Sequence, residues 1–404
     1  MNRETPFLLK QIERLAYLFL LFSLALGRLV ALFFTAFPFL LIRKKPKKDF
    51  LFFPYTHKDN TGVITRFQIF LPLFDKDYFT YDIHYPCNME YHDKIYFKSK
   101  SRAQEYFFLA RLFWKRLFQT MKAGNYRAVF FQRGMFPLYY DQFYPYLEKL
   151  ICLLNKNVIV DYFDADYGHN KKLIDSIAKT TNKVSVVNDY LFSYFKLLNR
   201  NVYLNDLSLD LAAYTKKTDF SNYEKLNLFW TGNPINAENL IYIIPILEKI
   251  NIKSPLKLSM VCRTSAGYNS PILNHKIWEP NTFFELLNSA DIALYPIIKD
   301  DEFNKGKVAY KSLEYGASAL PIIASNIGLS PHFVAEEDVL IANTPEEWEK
   351  QIIRLINDEE LRKKLGTNAR IKTEKFHSVE STYKNFLAIL LGENPAPLKN
   401  KGSI

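Results

Sequence analysis

Apolar residues are distributed along this chain in two ways. Between Leu15 and Ile42 they cover every face of a would-be helix: these 28 residues hold no acid and a single base, Arg28, and the run closes on the basic cluster RKKPKK at Arg43 to Lys48. A segment apolar all round is either buried in a large core or embedded in lipid. After Lys48 the pattern changes to short apolar runs separated by longer amphipathic stretches. Phe50 to Phe53, Val129 to Phe131, Val158 to Val160, Val184 to Val187 and Val202 to Leu204 read as buried strands. The intervals leave room for crossover helices, which predicts a parallel sheet. Helices are expected from about Thr65 to Asp75 and from Ala103 to Lys122. The second is rich in aromatics (Phe107, Phe108, Phe113, Trp114, Phe118) set among Arg111, Lys115 and Arg116, which reads as core plus a solvated edge with a fraction able to lie on a membrane.

The polar stretch Ala212 to Lys225 (AAYTKKTDFSNYEK) lacks apolar periodicity and reads as an interdomain linker. Beyond it the alternation resumes, with strands at Leu228 to Trp230, Leu256 to Val261, Ile292 to Tyr295 and Ile322 to Ala324. The last helix, near Ser378 to Leu391, places Val379, Tyr383, Phe386, Leu387 and Leu390 on one side and stops at Gly392. At 404 residues the chain exceeds one ordinary core. The expected organisation is α/β: a membrane-associated helical segment over 1–48, a Rossmann-like domain over 49–215, a second over 225–375 facing the first across a cleft, and a closing helix over 376–392.

The net charge of +11 does not point to nucleic acid. Residues 1–48 carry nine bases (Arg3, Lys10, Arg14, Arg28, Arg43, Lys44, Lys45, Lys47, Lys48) against Glu4 and Glu13, so most of the excess sits beside the apolar run. No nucleic-acid motif accompanies it. A cleaved signal peptide does not fit, because the apolar run is too long and no small-residue cleavage site follows. A single tilted span sets Arg28 mid-bilayer at about 2.5–3.5 kcal/mol. Gly27 and Pro38 offer bends for a re-entrant or interfacial hairpin, and a long core helix is the soluble alternative. In either membrane arrangement the basic cluster belongs at cytoplasmic headgroups. Cys87, Cys152 and Cys262 are scattered, with neither disulfide-framework nor metal spacing.

Candidate chemistry concentrates in Gly306 to Ser325, GKVAYKSLEYGASALPIIAS. A helix opening near Gly306 turns its N–H groups toward a phosphate, with Lys305 and Lys307 adding charge, and Glu314 two turns on can accept from ribose hydroxyls. The apolar run Leu320 to Ala324 sets this helix at the carboxyl edge of a sheet, where open α/β sheets take ligands. Arg263 and the Gly232–Asn233 turn follow strands of the same domain and fit a diphosphate, Arg263 through its two-pronged fork. In the first half Asp161, Asp164 and Asp166 follow a strand; Asp164 reads as an acceptor-orienting or base-like residue, with helix capping the plainer role for one of the three. Arg66 and Arg133 lie beside predicted cleft loops and can hold an anionic acceptor. Solvated lysines, a surface glutamate and surface arginines are the plainer readings throughout.

The motif at Gly306 to Ser325 resembles the donor-sugar motif of glycosyltransferase family 4, in the subgroup with a lysine-rich version ending in a Glu-Tyr pair. DIALYP at Asp291 to Pro296, NLFWTGNP at Asn227 to Pro234, FQRGMFP at Phe131 to Pro137 and VDYFDADY at Val160 to Tyr167 resemble further segments of that family. One departure is Gly306, which stands where many members carry a second glutamate. The resemblance implies the GT-B fold, a nucleotide diphosphate sugar as donor with no separate cofactor, retention at the anomeric carbon, no metal, and Trp278 in the strand that contacts the nucleobase. Arg263, Lys305, Lys307, Gly232 and Asn233 then hold the donor, and Asp164, Lys307 and Glu314 are the catalytic candidates. With the membrane segment, the expected acceptor is a glycan or lipid-linked intermediate. A nucleotide-sugar epimerase of the same fold and a membrane-tethered scaffold with a degraded site are the alternatives.

Overall fold

The computed structural model describes residues 7–38, 45–99, 101–137, 144–221, 225–265 and 267–393. The chain divides into two compact units, one running to Asn205 and resuming at Tyr383, the other comprising Asp206–Thr382. Each is built on six parallel strands.

In the first unit the strands are β1 (Lys48–Phe53), β2 (Tyr81–Ile83), β3 (Tyr126–Gln132), β4 (Val158–Tyr162), β5 (Lys183–Val186) and β6 (Val202–Leu204), in the order β2-β1-β3-β4-β5-β6. Because β2 and β3 lie on opposite sides of β1, the order reverses between β1 and β3. The sheet packs through aromatics: Phe52 stacks on Phe67 at 4.8 Å, and Phe386, from the last helix (Val379–Leu391), stacks on Phe70 at 4.9 Å. From Tyr383 onward that helix belongs to the first unit. The expected helix over 65–75 is instead a helical turn (Thr61–Ile64), a 3-10 turn (Gln68–Phe70) and a short helix (Leu71–Lys76). Phe67, at φ −154°, interrupts the run, and Pro72 lacks the N–H that would continue it.

The second unit contains β7 (Leu226–Thr231), β8 (Leu256–Val261), β9 (Leu273–Lys276), β10 (Ile292–Tyr295), β11 (Ile322–Ala324) and β12 (Leu340–Ile341), in the order β12-β11-β10-β7-β8-β9. Here the reversal falls between β7 and β10. Leu228, Trp230, Leu258, Met260, Leu294 and Ile323 fill the core between this sheet and its helices. The polar stretch 212–221 is held on this unit and does not run free. Lys217 pairs with Asp291 at 3.0 Å, and the Phe220 carbonyl accepts from Arg362 at 2.6 Å.

The N-terminal helix, Phe7–Ala36, is unbroken, so the hairpin expectation does not hold over its length; the apolar residues 39–42 lie outside the described residues. Gly27 serves contact here, not bending: a Cβ on it would come within 2.6 Å of the Phe113 ring. A stripe of mostly small residues (Ala16, Leu20, Ser23, Leu24, Gly27, Ala31) packs on the helix Ala103–Thr120. Trp114 Nε1 donates to Ser23 Oγ at 2.8 Å, and Phe19 meets Phe107 at 5.5 Å. Arg28 turns its guanidinium over the Tyr146 ring at 5.6 Å, which explains a base inside an apolar run. The large side chains Leu15, Leu18, Phe22, Leu26, Leu29 and Phe33 face outward and are exposed.

Candidate active site

In the second unit the strand order reverses between β7 and β10, and the carboxyl ends of the strands at such a reversal are the usual ligand position in open parallel sheets. The chain leaving β10 does not enter one helix at Gly306. Asp301 caps a short helix, Glu302–Lys305, by accepting from Asn304 N–H at 2.8 Å, and Gly306 ends it. Asp301 is the better cap, so the helix begins there. Three residues without regular structure follow before the motif helix, Tyr310–Ala317. Lys305 is thereby carried away from that helix start and pairs with Asp300 at 2.7 Å. Lys307 is half-buried, its Nζ 3.6 Å from the centre of the Phe303 ring and 3.3 Å from Asn304 Oδ1.

The Glu-Tyr pair anchors two things. The Tyr315 hydroxyl accepts from Thr231 N–H at 3.2 Å, tying the motif helix to the end of β7. Glu314 accepts from the Tyr214 hydroxyl at 3.1 Å, and Tyr310 joins the same cluster. Burial pushes the Glu314 carboxyl up to about 7, a rise that neighbouring Lys311 opposes. Burial in turn lowers Lys311; Glu314 counters this, while Lys307 lowers it further. The structure therefore brings Lys307, Lys311, Glu314 and Tyr214 together. Lys311 and Tyr214 were missed in the sequence. Lys311 stands three residues before Glu314, on the same helical face, and that spacing was a usable signal. Tyr214 sits in a stretch that reads as linker and gave none.

Gly232 and Arg263 follow β7 and β8. The Gly232 N–H donates to the Val261 carbonyl at 3.2 Å, and a Cβ at Gly232 would come within 2.3 Å of the Trp230 ring, so only glycine fits that turn. Asn233 and Arg263 are exposed; Cys262, beside Arg263, is close enough to influence Lys311. Trp278 is 49 % exposed, two residues past β9.

In the first unit Asp161 lies within β4, not after it, and is buried with Arg66. Arg66 Nε donates to Asp161 Oδ2 at 2.9 Å, Nη2 to Oδ1 at 2.5 Å, and Nη1 to the Asn205 carbonyl. Both are fully committed inside the core, so Arg66 is not an anion holder at a loop. Arg133 bonds Asp164 and lies 3.0 Å from Asp166, while its guanidinium sits 4.5 Å from both the Tyr55 and Phe163 ring centres. Asp166 begins the helix Tyr167–Thr180 without a side-chain cap, and burial lifts its carboxyl to about 7. Among the described residues no cluster of His, Cys, Asp or Glu is arranged as a metal site.

Residues 246–388 match the model of the glycosyl transferase-like family. No curated protein matches the chain in sequence. Among solved structures, sucrose-phosphate synthase from Thermosynechococcus elongatus is similar over 85% of this chain and 97% of its own, at 13% identity and TM-score 0.59. HepE from Anabaena, solved with UDP and glucose, matches over 85% and 99% at 9% identity and TM-score 0.57. A glycosyltransferase from Rickettsia africae matches over 85% and 98% at 13% identity and TM-score 0.57. The shared fold is the two-Rossmann GT-B type.

Proposed function

We propose that the protein is a glycosyltransferase that moves a sugar from a nucleotide diphosphate sugar to a hydroxyl on a membrane-associated, lipid-linked glycan. The observation that carries this is the Lys307–Lys311–Glu314–Tyr214 cluster beside the strand-order reversal of the second unit, of which Lys307, Lys311 and Glu314 lie within the segment matching the glycosyl transferase-like family. Breaking the anomeric bond develops charge on the leaving diphosphate, and fixed cations there lower the barrier more than they stabilise the ground state. Lys307, Lys311 and Arg263 supply that charge in this reading. Glu314 takes the ribose hydroxyls, and Trp278 flanks the base. Lys305, paired with Asp300, has a lesser part. HepE, whose structures hold UDP and UDP-glucose, supports the donor class through its fold. Retention and independence of metal belong to the same proposal, as does Asp164, beside Arg133, as the residue that orients the acceptor.

Membrane association is supported by the N-terminal helix, which is long and apolar enough to cross a bilayer. Apart from Leu20 and Leu24 it buries small residues and exposes most of its large ones, the reverse of a soluble amphipathic helix. Its contacts with helix 103–120 run from Tyr17 to Gly27, so it lies along the first unit, and in this reading its outer face enters the cytoplasmic leaflet. The test is product analysis after incubating membranes bearing the protein with a panel of nucleotide sugars. Labelled lipid-linked glycan is expected. An altered free nucleotide sugar indicates epimerisation, and no product at all favours a scaffold.

A further inference from the structure

At the strand-order reversal of the first sheet, between the loops after β1 and β3, lies a cavity of about 590 Å³ closed by the helices Met89–Tyr96 and Ala103–Thr120. That is within the range of small-molecule sites. Phe97, Phe108, Leu112, Met135 and Phe136 make most of it apolar. Of the charged residues that also line it, Arg116 is the most deeply buried. Only 3% exposed, it donates from Nη1 to the His84 carbonyl at 2.7 Å and from Nη2 to the Pro54 carbonyl at 2.8 Å, and it lies over the Phe53 ring. Among the described residues its Nε has no partner, and no carboxylate is among the groups that act on its charge. Burial drives the guanidinium down to about 9. No ionised acid among the described residues stands beside it: Lys115 carries the same sign, burial and Arg116 hold the His84 imidazole down to about 4, and Cys87, the group that favours the Arg116 charge, is a thiol that burial pushes up to about 11. The other two arginines of the cavity differ, since Arg102 pairs with Glu105 and Arg133 with Asp164. A buried cation without an anion is unstable unless something supplies one.

We propose that this cavity takes the phosphate or diphosphate ester head of a lipid: the anion bonds Arg116, and the first part of the hydrocarbon chain lies against Phe97, Phe108 and Leu112. The proposal rests on the reading that the acceptor is membrane-borne. The two faces of helix 103–120 fit it. Glu105, Phe108, Leu112 and Arg116 line the cavity, while Tyr106, Phe107, Phe113 and Trp114 meet the N-terminal helix. One helix thus separates the cavity from the N-terminal helix, whose far side carries the apolar outer face. A sugar attached to the bound head emerges past Arg133, at the carboxyl edge of the sheet.

The test is binding of farnesyl phosphate to the full-length protein in detergent, followed by calorimetry, with farnesol and inorganic phosphate as the other arms. Farnesyl phosphate is expected to bind saturably and at least about tenfold more tightly than either, because head and chain contribute together. Arg116→Met should lose roughly tenfold in affinity for farnesyl phosphate and little for farnesol. Phe97 is exposed at the cavity mouth, so Phe97→Glu leaves the core intact and should weaken the phosphate ester by repulsion even if Arg116→Met does not fold. Farnesol binding as well as its phosphate, inorganic phosphate binding equally well, or wild-type affinity in the Phe97 variant overturns the assignment. If the variants bind normally while sugar transfer to lipid is observed, the cavity is wrong and the proposed function stands. Binding through Arg116 without turnover of any nucleotide sugar leaves the cavity standing and overturns the proposed function.

Discussion

Substituting Glu314 by glutamine preserves its shape and removes one titration, which makes the expected outcome directional. The wild-type carboxyl is raised from an ordinary 4.5 to about 7 by burial. Each tenfold change in proton affinity is worth about 1.36 kcal/mol, so ionising Glu314 inside the fold costs on the order of 3 kcal/mol relative to the unfolded chain. The folded state binds this proton more tightly. Between about pH 4.5 and 7 it therefore holds more protons than the unfolded state, and stability from this site falls as pH rises through that window. Below the window both states are protonated, and above it both are ionised. Glutamine escapes the loss. Part of the gain is offset because Lys311, itself lowered by burial, loses the carboxylate that favours its charge. Glu314→Gln should then match wild type near pH 4.5 and exceed it by roughly 1–2 kcal/mol near pH 8. Urea melts followed by circular dichroism across that range measure it. In the same variant, nucleotide diphosphate affinity should drop about tenfold, the worth of a charged hydrogen bond to a ribose hydroxyl. A variant less stable at high pH, or a difference flat with pH, refutes the picture of a buried acid kept at a stability cost for its ligand and makes Glu314 a structural residue.

Further outcomes separate binding roles from folding roles. Lys307→Ala should weaken nucleotide diphosphate binding and turnover together by roughly tenfold, read by calorimetry and initial rates, while the melt is unchanged. Asp161→Asn breaks the buried pair with Arg66 and should cost about 3–5 kcal/mol in a denaturant melt. Asp164→Asn, partly exposed beside Arg133, should leave the melt nearly unchanged and reduce acceptor turnover. Gly232→Ala forces a Cβ into the Trp230 ring and should destabilise by ~1–3 kcal/mol. Replacing Leu18, Phe22 and Leu29 with serine should sharply reduce cosedimentation with anionic vesicles at constant melting temperature, because these side chains face outward; Leu24→Ser, in the packed stripe, should lower the melt instead.

Features whose physics is local could be read along the chain. Central strands such as Val158–Tyr162 and Leu256–Val261 are buried on both faces, so they read as apolar runs. Of the edge strands, Val202–Leu204 was legible, but Tyr81–Ile83 and Leu273–Lys276 were not: they are only half covered, and their composition is that of loops. The membrane-like helix was legible from composition. Its unbroken course was not, because the role of Gly27 depends on a ring 86 positions away, that of Phe113. The motif around Glu314 was visible as a pattern of glycine, lysines and a Glu-Tyr pair. Which lysine stands beside the carboxylate was decided by tertiary structure: Asp301 captures the helix start and turns Lys305 toward Asp300, while burial brings Lys311 and Tyr214 to Glu314. In the first unit, Arg66, Arg116 and Arg133 are alike in sequence. One is paired in the core, one is stacked beside two aspartates, and one is buried without an acid, a difference set by which strands and helices close around each guanidinium.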